Sequence, residues 1–448
     1  VAYTIYVYSE AVMQTRSRLS SSEREFFSLA NQAVFANPFS DERARIDTMI
    51  AQSGDTADAD KIVRRSQAAI SRIIKTLSRR KKADIRQYSG KDRVLVRNVF
   101  LYDFFNCFID RFDKLIIDQI EAGDKPLKVG FAADAFAHLE NRGFSSHDSV
   151  RYFEILYQLR RAYYFIDRSL VGRSAVMKDL RLQLWNNVFT TNIEFYNDHL
   201  WDRMEDFSTL ILGETGTGKG TAAAAIGRSG FIPYDERQQK FAESFTRAFV
   251  ALNLSQFPEN LIESELFGHK KGAFTGAVDD YEGILDRCSP HGANLRDEIG
   301  EVSIPVHIKL LQVLQERLFS PVGSHDRHRF QGRVIAATNR PIEEMRREGR
   351  MRDDFYYRLC SDIIRVPPLR QRIQEDASEL EDLLAHTVRR LLGKSAARIV
   401  RMVRSRIDRQ LGADYPWPGN VRELEQCLRR ILLNRRYTGE LPSHNEEP

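Results

Sequence analysis

The chain has 448 residues, of which 42% are hydrophobic and 29% charged, a composition typical of folded proteins and too apolar for general disorder. Its formal net charge of +5 permits anionic partners without requiring nucleic acid. Four scattered cysteines without a C-x-x-C pair argue against a disulfide scaffold or a zinc ribbon and favour the cytoplasm, and no apolar run reaches the roughly 18 residues of a membrane-spanning helix.

Residues 1–167 are polar and poor in Gly and Pro, which predicts a mainly helical N-terminal domain, regulatory or sensory and of unknown type. The chain opens on Val1 rather than Met, which suggests that the natural N-terminus is missing, and its first ten residues do not have the order of a signal peptide. Residues 53–60 have the composition of an exposed loop. The basic stretch at residues 61–93 is either a solvated helix face or a contact for an anion or nucleic acid.

Two amphipathic helices are predicted in this N-terminal zone. The first ends near Gly123 and has apolar residues at steps of three and four, namely Leu101, Phe105, Phe108, Phe112 and Leu115. The second repeats the pattern at Tyr152, Leu156, Leu159, Tyr163 and Ile166. Two heptads do not establish a coiled coil, so a core helix and a dimer-forming or signalling helix both stay open.

Residues 168–368 alternate short apolar runs with helical patterns. The runs are rich in Ile, Val and Leu and occupy residues 208–212, 249–254, 333–338 and 362–366. This order predicts an α/β fold in which helices cover both faces of a parallel sheet.

The first of these strands leads directly into a phosphate-binding motif, G-x-x-x-x-G-K, followed by a helix. The motif and its extension comprise Gly213, Glu214, Thr215, Gly216, Thr217, Gly218, Lys219, Gly220 and Thr221. Its glycines let backbone N–H groups surround phosphates, the helix N-terminus adds positive charge, and Lys219 would bridge the β- and γ-phosphates. Because Gly220 stands where the strict motif has Ser or Thr, Mg²⁺ is expected on Thr221 or on acidic groups and water.

Asp297 and Glu298 form the carboxylate pair that such a loop needs at the end of a second strand. Asp297 would order the magnesium shell, and Glu298 would activate the attacking water. The preceding residues are unusual for a central parallel strand, because Asn294 and Arg296 replace apolar residues. A buried, unpaired Arg296 would cost several kcal/mol, so it either meets an anion or weakens the strand.

Residues 263–277 have the composition of a mobile binding loop with an exposed aromatic residue and a hydroxyl at its tip. The tip consists of Gly272, Ala273, Phe274, Thr275, Gly276 and Ala277. The string GAFTGA resembles the signature of the sigma-54-dependent transcriptional activators, the bacterial enhancer-binding AAA+ ATPases, and the resemblance covers about residues 168–435.

Further motifs of that family match in order along the chain. Residues 213–219 resemble its Walker A motif, in which a non-hydroxyl residue after Lys is common, and Asp297–Glu298 resembles its Walker B motif. Asn253 is placed like the switch Asn that pairs with the catalytic Glu, and Asn339 resembles sensor I. Other matches are the arginine fingers, Arg352 and Arg358, and the sensor II residue Arg422.

The resemblance implies a P-loop AAA+ core at residues 168–368 and a small all-α lid at 369–448. It implies an ATPase with ATP and Mg²⁺ as cofactors, assembled as a homo-oligomer, with a hexamer as the count usual in the family. Its partners would be sigma-54, RNA polymerase and promoter or enhancer DNA, with no membrane. Fifteen residues follow Leu433, too few for the family's helix-turn-helix, so either the chain is truncated or DNA binding lies elsewhere.

Departures from the family pattern leave alternatives open. Arg296 and Asn294 put hydrolysis in doubt, so an oligomeric scaffold that binds ATP and hydrolyses it poorly is the main alternative. Another AAA+ ATPase acting on nucleic acid, such as a helicase or its loader, would share the ATP chemistry but gives no role to residues 272–277. Residues 185–206 are longer than the family needs before the P-loop strand and suggest an insertion.

Overall fold

The computed structural model describes residues 17–52, 58–393, 397–412 and 414–439. The described residues form two compact units, the first within residues 1–36, 42–108 and 131–152, and the second within residues 37–41, 109–130 and 153–448. Of the predicted loop at 53–60, residues 53–57 lie outside the described residues, and Asp58 already caps the next helix by accepting from the Lys61 N–H at 3.1 Å.

The first unit is helical, as the sequence predicted. The helices that lie wholly or partly in it are α1 (Ser21–Phe35), α2 (Asp41–Ala51), α3 (Ala59–Arg79), α4 (Gly90–Ala122), α5 (Ala132–Glu140) and α6 (Ser146–Ser169). The first predicted amphipathic helix is part of α4, which ends beside Gly123, and the second is part of α6. Helix α3 buries Ile62, Ile70 and Ile74, and its basic side chains face solvent.

The second unit is built on a five-stranded sheet in the order β4-β5-β8-β1-β9, in which every neighbouring pair is parallel. The strands of the unit are β1 (Thr209–Leu212), β2 (Tyr234–Asp235), β3 (Lys240–Phe241), β4 (Phe249–Asn253), β5 (Ala293–Asp297), β6 (Leu318–Phe319), β7 (His328–Arg329), β8 (Arg333–Thr338) and β9 (Asp362–Arg365). The pairs β2–β3 and β6–β7 are small antiparallel ladders outside this sheet. All six residues of β8 are buried, as expected for a central parallel strand.

Helices pack on both faces of this sheet, which confirms the predicted AAA+ fold class. The helices of this part of the chain are α7 (Ala175–Phe189), α8 (Ile193–Phe195), α9 (Lys219–Gly227), α10 (Glu259–Phe267), α11 (Ile284–Arg287), α12 (Ile304–Glu316), α13 (Ile342–Arg347) and α14 (Asp353–Leu359). Shorter helical turns lie at Ile85–Gln87, Tyr196–Leu200, Met204–Asp206, Leu254–Gln256 and Ile299–Glu301.

A small helical lid with its own core follows the sheet. Its helices are α15 (Leu369–Glu375), α16 (Ser378–Leu392), α17 (Ala397–Leu411) and α18 (Asn420–Asn434). Their apolar faces meet around buried Leu384, Val403, Trp417 and Leu428. Within the part of the chain that the structure describes, no helix is both long and apolar enough to cross a bilayer.

Candidate functional site

The glycine-rich loop after β1 forms a cradle of unpaired backbone donors. Gly216 and Gly218 adopt φ values of +80° and +104°, which side-chain-bearing residues rarely reach, and the turn they make leads into α9. Among the described residues, the N–H groups from Gly218 to Thr221 have no acceptor within the protein. Such N–H groups at a helix N-terminus form a binding site for an anion.

Lys219 lies within this cradle and is almost fully buried. Its Nζ donates to the backbone oxygens of Gly213 at 3.0 Å and Glu214 at 3.3 Å. Burial lowers the pKa of Lys219, the nearby carboxylates of Glu298 and Asp297 oppose that change, and Arg422 adds to it. The structure therefore brings the predicted lysine, the carboxylate pair and the lid arginine to one site.

Asp297 and Glu298 stand at the carboxyl end of β5, beside the ends of β4 and β8. Glu298 adopts φ +59° and ψ +45°, a left-handed conformation that is unfavourable for a residue with a side chain and that concentrates at functional sites. Its Oε2 accepts the Asn339 N–H at 3.3 Å, and Asn339 Nδ2 donates to Thr215 Oγ1 at 2.7 Å. Asn339 thus connects the predicted catalytic glutamate to the phosphate loop.

Asn253 ends β4 directly opposite Asp297 in the sheet register. Its side-chain oxygen accepts from Ser255 N at 3.0 Å and Ser255 Oγ at 2.7 Å, which caps the helical turn that follows. Within the described residues Asn253 makes no hydrogen bond to Glu298, so in this conformation the predicted switch residue is adjacent to the carboxylate pair without being bonded to it.

The lid contacts the phosphate loop directly, through residues that the sequence did not single out. Asn420 Nδ2 donates to Thr215 O at 3.0 Å, and its Oδ1 accepts the Leu369 N–H at 2.7 Å. Arg370 forms a bidentate ion pair with Glu214, with distances of 2.5 and 2.7 Å. The only local signal for Arg370 was its place in the arginine-rich first turn of α15, where the chain passes from the sheet to the lid.

The predicted sensor Arg422 lies in the first turn of α18. A Cβ added to Gly216 would approach Arg422 Cβ to 2.9 Å and Gly419 O to 2.2 Å, so only glycine permits this contact between loop and lid. The backbone N–H of Val421 donates to Gly216 O at 3.1 Å and fixes the same contact.

The two predicted finger arginines lie at opposite ends of α14 and are both exposed. Arg352 is held by Asp354 in the same helix, at 2.7 and 3.0 Å. Arg358 forms no ion pair with any described residue, and its backbone oxygen accepts from Ser208 Oγ at 2.8 Å. The guanidinium of Arg358 is therefore available to a group outside this protomer.

The loop carrying Gly272–Ala277 is compact at its base and exposed at its tip. His269 pairs with Tyr281 through two backbone hydrogen bonds of 2.9 Å, and Gly272 N donates to Ala277 O at 2.9 Å. The Phe274 ring rests edge-on against the His269 imidazole at 4.9 Å and is 36% exposed, and Thr275 is exposed. Local hydrogen bonds thus present an aromatic ring and a hydroxyl to solvent.

Arg296 is fully buried in β5 beside the carboxylate pair, and none of its three guanidinium nitrogens has a partner among the described residues. Both polar atoms of the Asn294 side chain are also buried without partners. Burial lowers the pKa of Arg296 to about 10, and neighbouring Cys288 and Arg317 have opposing effects. Of the two outcomes expected from the sequence, the described residues do not provide the anionic partner for Arg296.

Residues 198–365 match the family described as Sigma-54 interaction domain. The Nif-specific regulatory protein of Klebsiella pneumoniae is 44% identical over 228 residues, which are 51% of this chain and 40% of that protein. The regulatory protein AtoC of Escherichia coli K12 is 36% identical over 56% of this chain and 50% of its own length.

The DNA-binding transcriptional regulator NtrC of Rhizobium meliloti is 36% identical over 58% of this chain and 47% of its own length. The chain thus spans half or less of each of these relatives. A crystal structure of NtrX from Brucella abortus in complex with ADP aligns with 70% of this chain and 63% of its own, at 22% identity and a TM-score of 0.45. The resemblance to the sigma-54-dependent activators, which rests on residues 198–365 and these relatives, is confirmed.

Proposed function

We propose that this chain hydrolyses ATP to remodel sigma-54 RNA polymerase at promoter DNA, because residues 198–365 match the family described as Sigma-54 interaction domain. One observation carries the proposal. The same compact unit holds a cradle of unpaired N–H groups with an aligned lysine and two carboxylates, and a separate loop that exposes Phe274 and Thr275.

The residues of the cradle fit a nucleoside triphosphate with Mg²⁺. The unpaired N–H groups and Lys219 would hold the phosphates, and Asp297 and Thr221 would hold the metal, which neutralises developing charge when bound. Glu298 would orient the attacking water as a general base, a role worth roughly 10²- to 10⁴-fold in rate. Asn339 keeps Glu298 close to the phosphate loop, and Arg422 adds positive charge from the lid side.

A ring of protomers would complete the site. Among the described residues, exposed Arg358 forms no ion pair and Arg352 pairs only with exposed Asp354, so either guanidinium can turn to a nucleotide held by a neighbouring protomer. An arginine supplied in trans is worth roughly 10³- to 10⁵-fold in turnover. We therefore expect catalysis to need a homo-oligomer, with a hexamer as the ring size that the family resemblance implies.

A short structural path joins the nucleotide site to the exposed loop. Asn253 lies beside Asp297, and α10 begins six residues later and ends at Phe267. Near the end of α10, Ser264 Oγ bonds to His269 Nδ1 at 2.6 Å, and His269 supports the Phe274 ring. When the γ-phosphate is gained or lost, Asn253 would give up its hydrogen bonds to Ser255 and bond to Glu298 instead. That change would shift α10 and the loop towards a second position.

The proposal is tested with Thr275→Ala, assayed for ATP turnover and for open-complex formation with purified sigma-54 RNA polymerase. Thr275 lies in the loop, away from the cradle, so turnover should stay within about twofold of the wild type, whereas open-complex formation should be abolished. An exposed threonine on α3 provides the matched control, and Thr76→Ala should change neither activity. Open-complex formation that is undiminished in Thr275→Ala would refute the role given to this loop.

Buried Arg296 favours a second candidate function, an ATP-gated oligomeric scaffold with little hydrolysis. An uncompensated charge one residue before Asp297 weakens the strand that positions both carboxylates. ATPase measurements over a range of protein concentrations separate the two candidates. Specific activity that rises with concentration supports arginine fingers acting in trans, whereas ATP binding without turnover at every concentration supports the scaffold.

A further inference from the structure

A side-chain cluster in the first unit brings together three kinds of metal ligand. Asp103 and Cys107 lie one helical turn apart on α4, a spacing that places both side chains on the same face. His138 comes from α5. One carboxylate oxygen, the Cys107 sulfur and one imidazole nitrogen all lie within 4.8 Å of one another.

The imidazole of His138 is held in place but incompletely bonded. Its ring packs edge-on against Phe104 at 5.8 Å and Phe108 at 5.7 Å, both on α4. Its Nε2 is buried and has no hydrogen-bond partner among the described residues. His138 therefore keeps a ring nitrogen without a partner among the described residues, and an imidazole nitrogen is a common metal ligand.

Asp103 is oriented by one hydrogen bond and keeps its second oxygen weakly engaged. Ser71 Oγ donates to its Oδ1 at 3.0 Å, the kind of outer contact that fixes a metal-ligating carboxylate. Its Oδ2 lies 3.9 Å from the Arg142 guanidinium, at the outer limit of an ion pair. Arg142 has other partners, Ser78 Oγ at 3.1 Å and the Phe100 ring at 5.0 Å, so it can stay bound when a cation takes up Oδ2.

We propose that Asp103, Cys107 and His138 bind one divalent transition-metal ion of the zinc type. Thiolate and imidazole ligands select such ions over Mg²⁺ and Ca²⁺, and bond lengths of roughly 2.0–2.3 Å require the ligand atoms to close by about 1 Å. The Cys107 thiol loses its proton on binding, and the Cys107 side is open to solvent, which leaves room for water as a fourth ligand.

Zn²⁺ titration of the untagged full chain by calorimetry tests the proposal. We expect one Zn²⁺ per chain, and binding at least tenfold weaker in Cys107→Ser and in His138→Gln, since even second-layer contacts are worth 10- to 100-fold. Controls are Cys360→Ser, in the other unit, and His147→Gln, an exposed histidine of the same unit. Both should bind Zn²⁺ like the wild type.

Co²⁺ provides a readout that a merely structural role of these residues would not change. The Co²⁺-loaded protein should show a thiolate-to-cobalt charge-transfer band. The Cys107→Ser variant should lose this band, although its circular dichroism matches the wild type. Absence of Zn²⁺ binding, unchanged affinity in both ligand variants, or a cobalt spectrum without thiolate character would each overturn the proposal.

Discussion

Replacing Arg296 by Met should stabilise the second unit. Arg296 lies on an interior strand of the sheet, paired in register with Leu252 on β4 and Ala336 on β8, and no part of its side chain is exposed. Its three nitrogens lack acceptors, so the folded protein bears the desolvation cost of a guanidinium with no compensating bond. Methionine keeps the unbranched length of the side chain and removes the charge.

The size of the stabilisation follows from the lowered pKa of Arg296. Burial lowers the pKa of Arg296 from that of a free guanidinium to about 10, which corresponds to about 3 kcal/mol of folding free energy. Three donor nitrogens without acceptors, at about 1–3 kcal/mol each, make that value a conservative one. For a unit of about 320 residues, whose unfolding entropy is roughly 2.1 cal/mol/K per residue, about 3 kcal/mol raises the midpoint of thermal unfolding by roughly 4–5 °C.

Thermal unfolding of Arg296→Met and Arg333→Met, followed by circular dichroism, distinguishes an unpaired cation from a paired one. Arg333 on β8 is also buried with a pKa lowered to about 10, but it donates to Phe207 O at 2.8 Å and Asn187 Oδ1 at 2.9 Å. Replacing Arg333 leaves those two oxygens without a donor, so the midpoint of thermal unfolding should fall. The reasoning fails if Arg296→Met lowers the midpoint, or if the two variants shift it in the same direction.

Two further predictions concern the nucleotide site and the lid. Glu298→Gln should still bind ATP but turn it over roughly 10²- to 10⁴-fold more slowly, as measured by phosphate release, and unchanged turnover would exclude its role as a base. Gly172→Ala should destabilise the protein by about 3 kcal/mol or more in denaturant unfolding, because the new Cβ would lie 2.2 Å from Glu379 Oε2 and displace it from Arg372. Gly349→Ala, at φ +69° with no atom within 4 Å, should cost only about 1 kcal/mol, and equal costs would contradict this argument.

The sheet could be predicted because buried parallel strands need continuous apolar runs. The run at residues 333–338 coincides with β8, and the runs beginning near 208, 249 and 362 match β1, β4 and β9 within a residue or two. Strand β5 has no such run, since Asn294 and Arg296 interrupt it. It was found only because Asp297 and Glu298 had to stand at the end of a strand.

Contacts between distant segments could not be predicted, because nothing in the local sequence encodes the partner. Glu214 and Arg370 are separated by 156 residues, and the bond from Asn420 to Thr215 spans 205. The hydrogen bonds of Asn253 could not be predicted either, since an asparagine at this position can serve as a helix cap or as a switch residue. The lid closure therefore emerges only from the structure.

Four buried arginines in the second unit show how differently one side chain can be accommodated. Arg372 is paired with the Glu379 carboxylate at 2.6 Å, and Arg333 is bonded to neutral oxygens. Arg161 donates to one carbonyl, that of Gly230, and lies over two aromatic rings.

Arg296 has none of these partners among the described residues, and it is the one that immediately precedes Asp297. The destabilisation that Arg296 causes therefore acts at the end of β5, which must hold Asp297 and Glu298 in register. Stability and catalysis are coupled at this position, so the Arg296→Met variant that unfolds at higher temperature should also hydrolyse ATP at least as fast as the wild type.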